Sequence, residues 1–280
     1  MSQVADLIAN GVGVVITHGN GPQIGATLIR HEEAKDKVPA LPLYACGAET
    51  QGLLGYMIQQ ALQSELASRG ETRQVATVVT QVEVDRNDPA FHNPTKPIGP
   101  FLTDSERRKL LQDRKDLVVR EDSGRGYRRV VASPDPKGLV ESRAIETLVE
   151  NGTIVIACGG GGIPVARSGT GLVGVEAVID KDLAAERLAT SIGARRLAIL
   201  TDVQGVFLGY GRRDQRLLTR VSRRELAEFA EKGEFAAGSM GPKVQAVLRF
   251  LANGGESAVI GYLGNLKDAV ECRSGTEVTK

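Results

Sequence analysis

Two glycine-rich loops, each directly after a short apolar run, constrain the fold of this chain more than any other feature. They are HGNGP at residues 18–22 and CGGGGIP at residues 158–164. Such apolar runs are typical of buried strands, and in an open α/β sheet the loops that follow the strands bind the ligands. Glycine lets backbone N–H groups approach an anion closely, and a helix N-terminus adds positive potential. The loops therefore predict an anion site at one edge of a parallel sheet.

Strand-like and helical patterns alternate along most of the chain, which indicates a mainly parallel sheet with helices on both faces. Predicted strands cover residues 12–17, 75–82, 153–157, 197–200 and 257–260. Predicted helices cover residues 22–33, 50–69, 139–150, 181–192, 222–232 and 242–253. We expect an α/β fold with a single domain over residues 1–280.

Residues 85–132 interrupt this alternation. Four prolines lie within residues 85–100, too many for a central strand or helix, and residues 104–129 are dense in charges of both signs. Short β-like pieces occur at residues 117–120 and 128–132. We expect a small protruding lobe or lid inserted in the domain, although the charges also fit a solvated surface insertion.

The overall composition excludes several classes of function. The chain has 35 Lys and Arg against 34 Asp and Glu, so no basic field indicates a nucleic-acid partner. Its three cysteines are widely spaced without a CxxC pair, so we expect no disulfide framework and no metal site. No apolar run is long enough to cross a membrane, and no signal peptide is evident. We expect a cytoplasmic protein.

Three charged residues near predicted helix starts are candidates for chemistry. Lys243 lies in the constrained turn GSMGPK, and Lys181 and Asp182 follow an apolar segment. Two lysines on opposite sides of a phosphoryl group would neutralise its charge while Asp182 holds them in position. Alternatively, Asp180 is an ordinary N-cap, and Lys181 and Asp182 form an ordinary first helical turn.

Three further features carry an alternative interpretation each. Four consecutive glycines stand at residues 159–162. Each glycine loses much backbone entropy on folding, so such a run is hard to explain as a mere connection and suits contact with a phosphate. A flexible surface loop is the alternative. There is no Walker A and no GxGxxG motif. Lys96 lies between two prolines that would aim its ammonium at an anion, or it is a solvated lysine. His18 either polarises a substrate or is a hydrogen-bonded structural residue.

Seven motifs, in order along nearly the whole chain, resemble the carbamate kinases, a branch of the amino acid kinase superfamily. They are THGNGPQIG (17–25), CGAETQGLLGYMIQQAL (46–62), NDPAFHNPTKPIGPF (87–101), ACGGGGIPV (157–165), VEAVIDKDLAAERLA (175–189), LTDVQGVFL (200–208) and AAGSMGPKVQA (236–246). The resemblance implies an open three-layer αβα sandwich, a homodimer, ATP or ADP with Mg²⁺, and reversible phosphoryl transfer between ATP and carbamate. In catabolism this reaction runs from carbamoyl phosphate and ADP toward ATP.

The resemblance also assigns roles by position. It implies phosphoryl-group stabilisation by Lys181 and Lys243, organised by Asp182, with Lys96 reaching in from the lobe. The small-substrate site would comprise Gly19, Asn20, Gly21, Gly47, Ala48, Gly159, Gly160 and Gly161. The nucleotide would bind residues 150–280, at Asp202, Val203, Phe207, Met240, Gly241 and Lys243.

The chain departs from the family pattern in two places. The first strand and its GGNA-like phosphate loop are absent, so we expect the true start to lie upstream of Met1. Glu49 and Thr50 stand where the family usually has a neutral residue and a serine, and Glu49 is favourable only if it points away from an anionic substrate. Three hypotheses follow: an active carbamate kinase, a binding or regulatory relative without turnover, and a kinase for another small acid.

Overall fold

A computed structural model describes residues 1–115, 117–122, 124–236 and 238–280 of the chain. The predicted lobe at residues 85–132 includes Asp116 and Ser123, and the motif at residues 236–246 includes Ala237. These three residues lie outside the described part of the chain.

Strand β8 shows why the fold has three layers. It covers Ile154–Ile156 and pairs in parallel with β1 (Val15–Ile16) and with β2 (Val75–Thr77). Ile154 and Ile156 pack with leucines of α3 (Leu43–Ser68) and with α1 (Ser2–Ala9). Val155 faces the other way, toward α5 (Ser142–Glu150) and α6 (Lys181–Ser191). The predicted αβα class is confirmed, since helices cover both faces.

A second sheet continues this half of the molecule. Strands β3 (Gln81–Val84) and β9 (Ile163–Ser168) pair in parallel at its centre. Strands β7 (Pro136–Leu139) and β10 (Gly171–Gly174) add antiparallel partners at its two edges. Helix α2, which covers Gly21–Ala34, packs against α3 and against the lobe.

The lobe is a three-stranded antiparallel sheet with one helix. Its strands are β4 (Lys96–Leu102), β5 (Val118–Glu121) and β6 (Tyr127–Val131), and its helix is α4 (Asp104–Asp113). Thr103 and Glu106 form a capping box at the start of α4, which satisfies free backbone N–H groups there. Strand β4 lies at an edge of the order β4–β6–β5, where its prolines remove no central ladder bond.

The C-terminal part has its own sheet and its own core. The elements here are β11 (Arg196–Thr201), β12 (Val206–Leu208), β13 (Arg216–Leu218), β14 (Arg220–Ser222), α7 (Arg223–Glu231), α8 (Met240–Ala252), β15 (Ser257–Tyr262), α9 (Leu266–Val270) and β16 (Thr276–Thr279). The strand order in the sheet is β11–β15–β16–β14, in which β11 pairs in parallel with β15, and β14 with β16. The core of this part includes the fully buried side chains of Phe250, Val247, Ile260 and Val278.

Several boundaries differ from the sequence expectation: the strand expected at residues 12–17 covers only Val15–Ile16, and the helix expected from residue 139 begins at Ser142. Two further differences have a clear physical cause. Helix α3 begins at Leu43 rather than at residue 50, because Pro42 supplies an extended N-cap and the glycines that follow are tolerated in the packed helix. The single strand expected at residues 75–82 is two strands. Buried Thr80 donates its hydroxyl to the carbonyl of Val78, and its backbone bonds to a side chain of α3, so the chain turns between them.

No helix in the described part of the chain combines the length and the apolar character needed to cross a lipid bilayer.

Candidate active site

The two glycine-rich loops lie side by side, because β1 and β8 are parallel neighbours and both loops leave the same edge of the sheet. The backbone N–H of Gly160 donates to the carbonyl of His18 at 2.7 Å. A Cβ atom on Gly159 would lie 2.2 Å from Nε2 of His18, and one on Gly160 would lie 2.2 Å from Nδ2 of Asn20. The glycines are therefore needed for close packing, and the flexible-loop alternative is wrong.

The backbone of this turn also requires glycine. Cys158, Gly160, Gly161 and Gly162 all have positive φ, at 56°, 67°, 100° and 80°. Residues other than glycine rarely adopt a positive φ without an energetic cost. The turn of residues 159–161 is buried, so the loop has a defined conformation that directs its backbone groups.

Asn20 connects the first loop to helix α3. Its buried side chain donates from Nδ2 to the hydroxyl of Thr50 at 2.9 Å, and that hydroxyl donates to the carbonyl of Gly47 at 2.9 Å. Gly47 and Ala48 therefore lie in the first turns of α3, close to the loop that contains Gly19 and Gly21. Glu49 points elsewhere, toward His31, with 3.1 Å between Oε2 and Nε2. Its carboxylate is thus engaged with His31 and not with the Asn20–Thr50–Gly47 hydrogen bonds.

Gln51 and Thr80 hold the second loop, and neither was singled out in the sequence. Oε1 of Gln51 accepts from the backbone N–H of Thr80 at 2.5 Å, while Nε2 donates to the carbonyl of Gly159 at 3.3 Å. The Thr80 hydroxyl accepts from the backbone N–H of Cys158 at 2.9 Å. Both side chains are buried. Only the long-range contact reveals this role, since a glutamine within a helix has no distinctive spacing.

His18 is half-buried against the glycine turn. Burial lowers the pKa of its imidazole, although an interaction with the carbonyl of Gly19 partly opposes the shift. The ring is therefore neutral at pH 7, and its packing against Gly159 accounts for its position.

Asp180 acts as the N-cap of α6 and also binds the lobe. Its Oδ1 accepts from the backbone N–H of Asp182 at 2.9 Å, as the ordinary interpretation of this segment predicts. Its Oδ2 accepts from Nζ of Lys96 at 2.6 Å. Burial by itself would raise the pKa of Asp180, but the Lys96 ammonium and the backbone donors hold it below its usual value. The lobe is thus joined to the start of α6 by an ion pair.

Lys243 and Asp182 form a second ion pair, between α8 and α6. Nζ of Lys243 donates to Oδ2 of Asp182 at 2.8 Å, and both residues are buried, at 8% and 6% exposure. A buried charge is costly unless it is paired, so each partner requires the other. The pairing of Lys243 with Asp182 brings together two residues that are 61 positions apart.

Lys181 stands between Asp180 and Asp182 in the chain. Within residues 1–115, 117–122, 124–236 and 238–280, no carboxylate lies within ion-pair distance of its ammonium. Its side chain passes over Gly19, where an added Cβ would lie 3.3 Å from Cδ and 3.6 Å from Nζ of Lys181. An unpaired ammonium beside a glycine loop at a helix start is suited to bind a phosphoryl oxygen.

The candidate nucleotide residues lie after β11, in the two-stranded sheet of β12 and β13, and at the start of α8. Asp202 and Val203 follow β11, and Phe207 is in β12 with its ring 5.9 Å from that of Tyr210. Met240 and Gly241 open α8, one turn before Lys243. Their role in nucleotide binding stays a prediction.

Comparison with known proteins identifies the family. Residues 1–262 match the model of the amino acid kinase family. A carbamate kinase of Pyrococcus horikoshii is 52% identical over 280 residues, covering 99% of this chain and 88% of that protein. The chain belongs to the carbamate kinases. A carbamate kinase of Thermococcus kodakarensis is 54% identical over 282 residues, covering 99% of this chain and 89% of that protein.

Solved carbamate kinase structures agree in fold. The carbamate kinase from Giardia lamblia bound to AMP-PNP has a TM-score of 0.92 and 42% identity, covering 100% of this chain and 88% of that chain. The same enzyme bound to citric acid has a TM-score of 0.94 and 41% identity, covering 100% and 88%. Family membership, the phosphotransferase class and the αβα fold inferred from the motifs are confirmed. The relatives are kinases, and nothing among them favours a binding relative without turnover.

Proposed function

We propose that this carbamate kinase family member transfers a phosphoryl group reversibly between ATP and carbamate by electrostatic positioning. The observation that supports this most is the ammonium of Lys181, which lies beside Gly19 and has no ion-pair partner among the described residues. The neighbouring lysines, Lys96 and Lys243, are paired with Asp180 and Asp182. In the forward direction a carbamate oxygen bonds to the γ-phosphorus as the bond to the ADP oxygen breaks. In the reverse direction ADP takes the phosphoryl group from carbamoyl phosphate. Neither direction needs a proton transfer at phosphorus.

The small substrate would bind between the glycine loops and the lobe. Gly19, Gly21, Ala48 and the glycines at residues 159–161 let backbone groups approach its oxygens closely, while Asn20 and Thr50 hold the loop against Gly47. Lys96 is only partly buried, so its ammonium can turn from Asp180 to an entering anion. We propose that residues 85–132 act in this way as a lid.

Lys181 and Lys243 would stabilise the charge on the phosphoryl oxygens during transfer. Asp182 would act through Lys243 rather than by contacting the phosphoryl group itself. It holds the Lys243 ammonium at 2.8 Å, and in doing so fixes α8 against α6. Because these ammonium groups are already in position when charge develops on the phosphoryl oxygens, they need no reorganisation. Such preorganised electrostatic stabilisation is the main source of catalysis in phosphoryl transfer.

The nucleotide would bind residues 150–280 through the residues after β11, in β12 and at the start of α8. The carbamate kinase from Giardia lamblia that is bound to AMP-PNP, an ATP analogue, supports ATP and ADP as substrates. Mg²⁺ would accompany the nucleotide, since it takes oxygen ligands and keeps phosphate oxygens and waters around it. Asp182 fits such an ion, because Lys243 contacts only its Oδ2 and Oδ1 remains as a hard donor. Bound there, Mg²⁺ would neutralise phosphate charge.

We further propose a cytoplasmic homodimer acting on small molecules. The three cysteines, Cys46, Cys158 and Cys272, are free, as expected of a protein in a reducing compartment. Helix α3 presents Leu53, Tyr56 and Met57 to solvent at 51%, 58% and 53% exposure. An apolar face of this kind suits contact with a second copy. Sedimentation of the wild type and of Tyr56→Glu tests this assembly, and a wild-type monomer would refute it.

ATP formation from ADP, Mg²⁺ and carbamoyl phosphate tests the proposed reaction. We expect turnover by the purified 280-residue chain and turnover at least about 100-fold lower by Lys243→Ala prepared in parallel, which excludes a contaminating kinase. A folded chain without turnover would contradict the proposal. Calorimetry of that chain with ADP and with carbamoyl phosphate would then identify a binding relative.

A further inference from the structure

His31, Cys46 and Glu49 converge between α2 and α3, and the phosphoryl-transfer mechanism uses none of them. Cys46 and Glu49 are three residues apart on α3 and therefore share one face of that helix. His31 comes from the last turn of α2. One ligand atom of each residue, the imidazole nitrogen, the thiol sulfur and a carboxylate oxygen, lies within 4.8 Å of the other two.

The three donors match the ligand chemistry of zinc. Zn²⁺ binds imidazole nitrogen, thiolate sulfur and carboxylate oxygen in a tetrahedral arrangement. Its bond lengths of about 2.0–2.3 Å place neighbouring nitrogen and oxygen ligands about 3.3 Å apart. Nε2 of His31 and Oε2 of Glu49 are already 3.1 Å apart. A neutral imidazole with a thiolate and a carboxylate carries two negative charges, which balance the ion.

Access and the fourth ligand are provided by an adjoining cavity. The cavity is about 480 Å³ and is lined by Thr27, Arg30 and Leu53 together with His31, Glu49 and Thr50. Cys46 is fully buried behind it, and its Sγ contacts the carbonyl of Leu41 at 3.8 Å. A water from the cavity would complete the tetrahedron. Arg30 places a positive charge at the cavity wall, which repels a cation. The site therefore favours an ion that bonds to the Cys46 thiolate over one that is attracted by charge alone.

We propose that His31, Cys46 and Glu49 bind Zn²⁺ with a water as the fourth ligand. On binding, Zn²⁺ takes the sulfur of Cys46 and the thiol proton leaves to solvent, so no redox partner is needed. The ion ties α2 to α3 next to the bond between Asn20 and Thr50. Sequence spacing gives no zinc motif here, because the ligands come from two helices that only the tertiary structure brings together.

Burial, with smaller contributions from Glu49 and Glu176, raises the pKa of the Cys46 thiol. The metal-free protein therefore carries a protonated Cys46 at neutral pH. Zn²⁺ must compete with that proton, as it does at other thiolate sites.

Titration of the chelator-treated full chain with Co²⁺ tests the site, because Co²⁺ bound to a thiolate has a charge-transfer band in the near ultraviolet. We expect one equivalent of Co²⁺ to produce the band and Zn²⁺ to abolish it. Cys46→Ser should remove the band, and His31→Asn should weaken binding at least tenfold. The matched control Cys272→Ser, which alters the half-buried cysteine at the other end of the chain, should keep the band.

Thermal melting provides a second readout that does not depend on spectra or turnover. Added Zn²⁺ should raise the Tm of the wild type and of Cys272→Ser, but not that of His31→Asn or Glu49→Gln. The proposal is overturned if Co²⁺ produces no thiolate band, or if Cys46→Ser keeps it. In either case His31 and Glu49 are only a surface hydrogen-bonded pair. Neither result bears on carbamate phosphorylation, which is assayed separately.

Discussion

The two lysine–aspartate pairs at the start of α6 use the same chemistry in different surroundings. Lys243 and Asp182 are nearly inaccessible, with side chains 10% and 9% exposed, and connect two helices of the main domain. Lys96 and Asp180 are more accessible, at 30% and 13%, and connect the lobe to that domain. Removing one member of a buried pair leaves an uncompensated charge, whereas water can replace either member of an exposed pair. The first pair is therefore a fixed part of the site, and the second is a contact that can open.

Lys243→Ala should have the largest effect, on both activity and stability. It removes a charge that meets the phosphoryl group and leaves Asp182 buried without a partner, so we expect turnover to fall at least about 100-fold. The free energy of unfolding should fall by about 3 kcal/mol. Steady-state kinetics and urea unfolding measure these changes.

The double variant Lys243→Ala with Asp182→Ala separates the two effects. It should recover part of the lost stability without recovering turnover, because no charge is then buried alone. A stable, fully active Lys243→Ala would show that this pair is as dispensable as a surface pair.

Lys181→Met should reduce turnover about 100-fold while leaving stability nearly unchanged. The ammonium of Lys181 lacks an ion-pair partner in the part of the chain that the structure describes, and methionine retains an apolar stem over Gly19. Thermal melting alongside kinetics measures both quantities. A fall in Tm as large as that of Lys243→Ala would mean that Lys181 has a structural role like that of the buried pair.

Lys96→Ala should act mainly on the small substrate. We expect a higher KM for carbamoyl phosphate, a smaller change in kcat, and a loss of stability no greater than about 1 kcal/mol, because the pair is partly exposed. Lys109→Ala, in helix α4 of the same lobe, is the matched control. Unchanged kinetics in Lys96→Ala would leave the lobe without a part in substrate binding.

The smallest effect should appear in acid stability. The pKa of Asp180 in the folded protein is below its ordinary value of 3.8, so its contribution is present above that value and disappears as the pH falls through the folded pKa. Lys96→Ala should reduce this contribution, making the Tm of the variant less sensitive to pH than that of wild type below about pH 3.8, where the wild-type contribution is lost. Parallel melting curves across that pH range measure the difference. Equal pH dependence would mean that the ion pair contributes nothing to folding.

Much of this molecule was predictable from local pattern. Helix α6 was expected at residues 181–192 and occurs at Lys181–Ser191, because a capping aspartate and a helical apolar pattern both mark its start. The prolines of the lobe correctly predicted a departure from the central sheet. The start of α3 was missed, because Gly47 lowers the helix propensity of residues 43–49 and only packing overrides it.

The sequence by itself determined the alternation of strands and helices, the glycine loops at strand ends, the family and the candidate lysines. Those features depend on short-range chemistry: the freedom of glycine, the side-chain period of each element and the capping of helix ends. Only the tertiary structure decided which charges meet. Lys243 pairs with Asp182 and Lys96 with Asp180, because parallel strands and crossing helices place distant residues together. No local pattern encodes those distances.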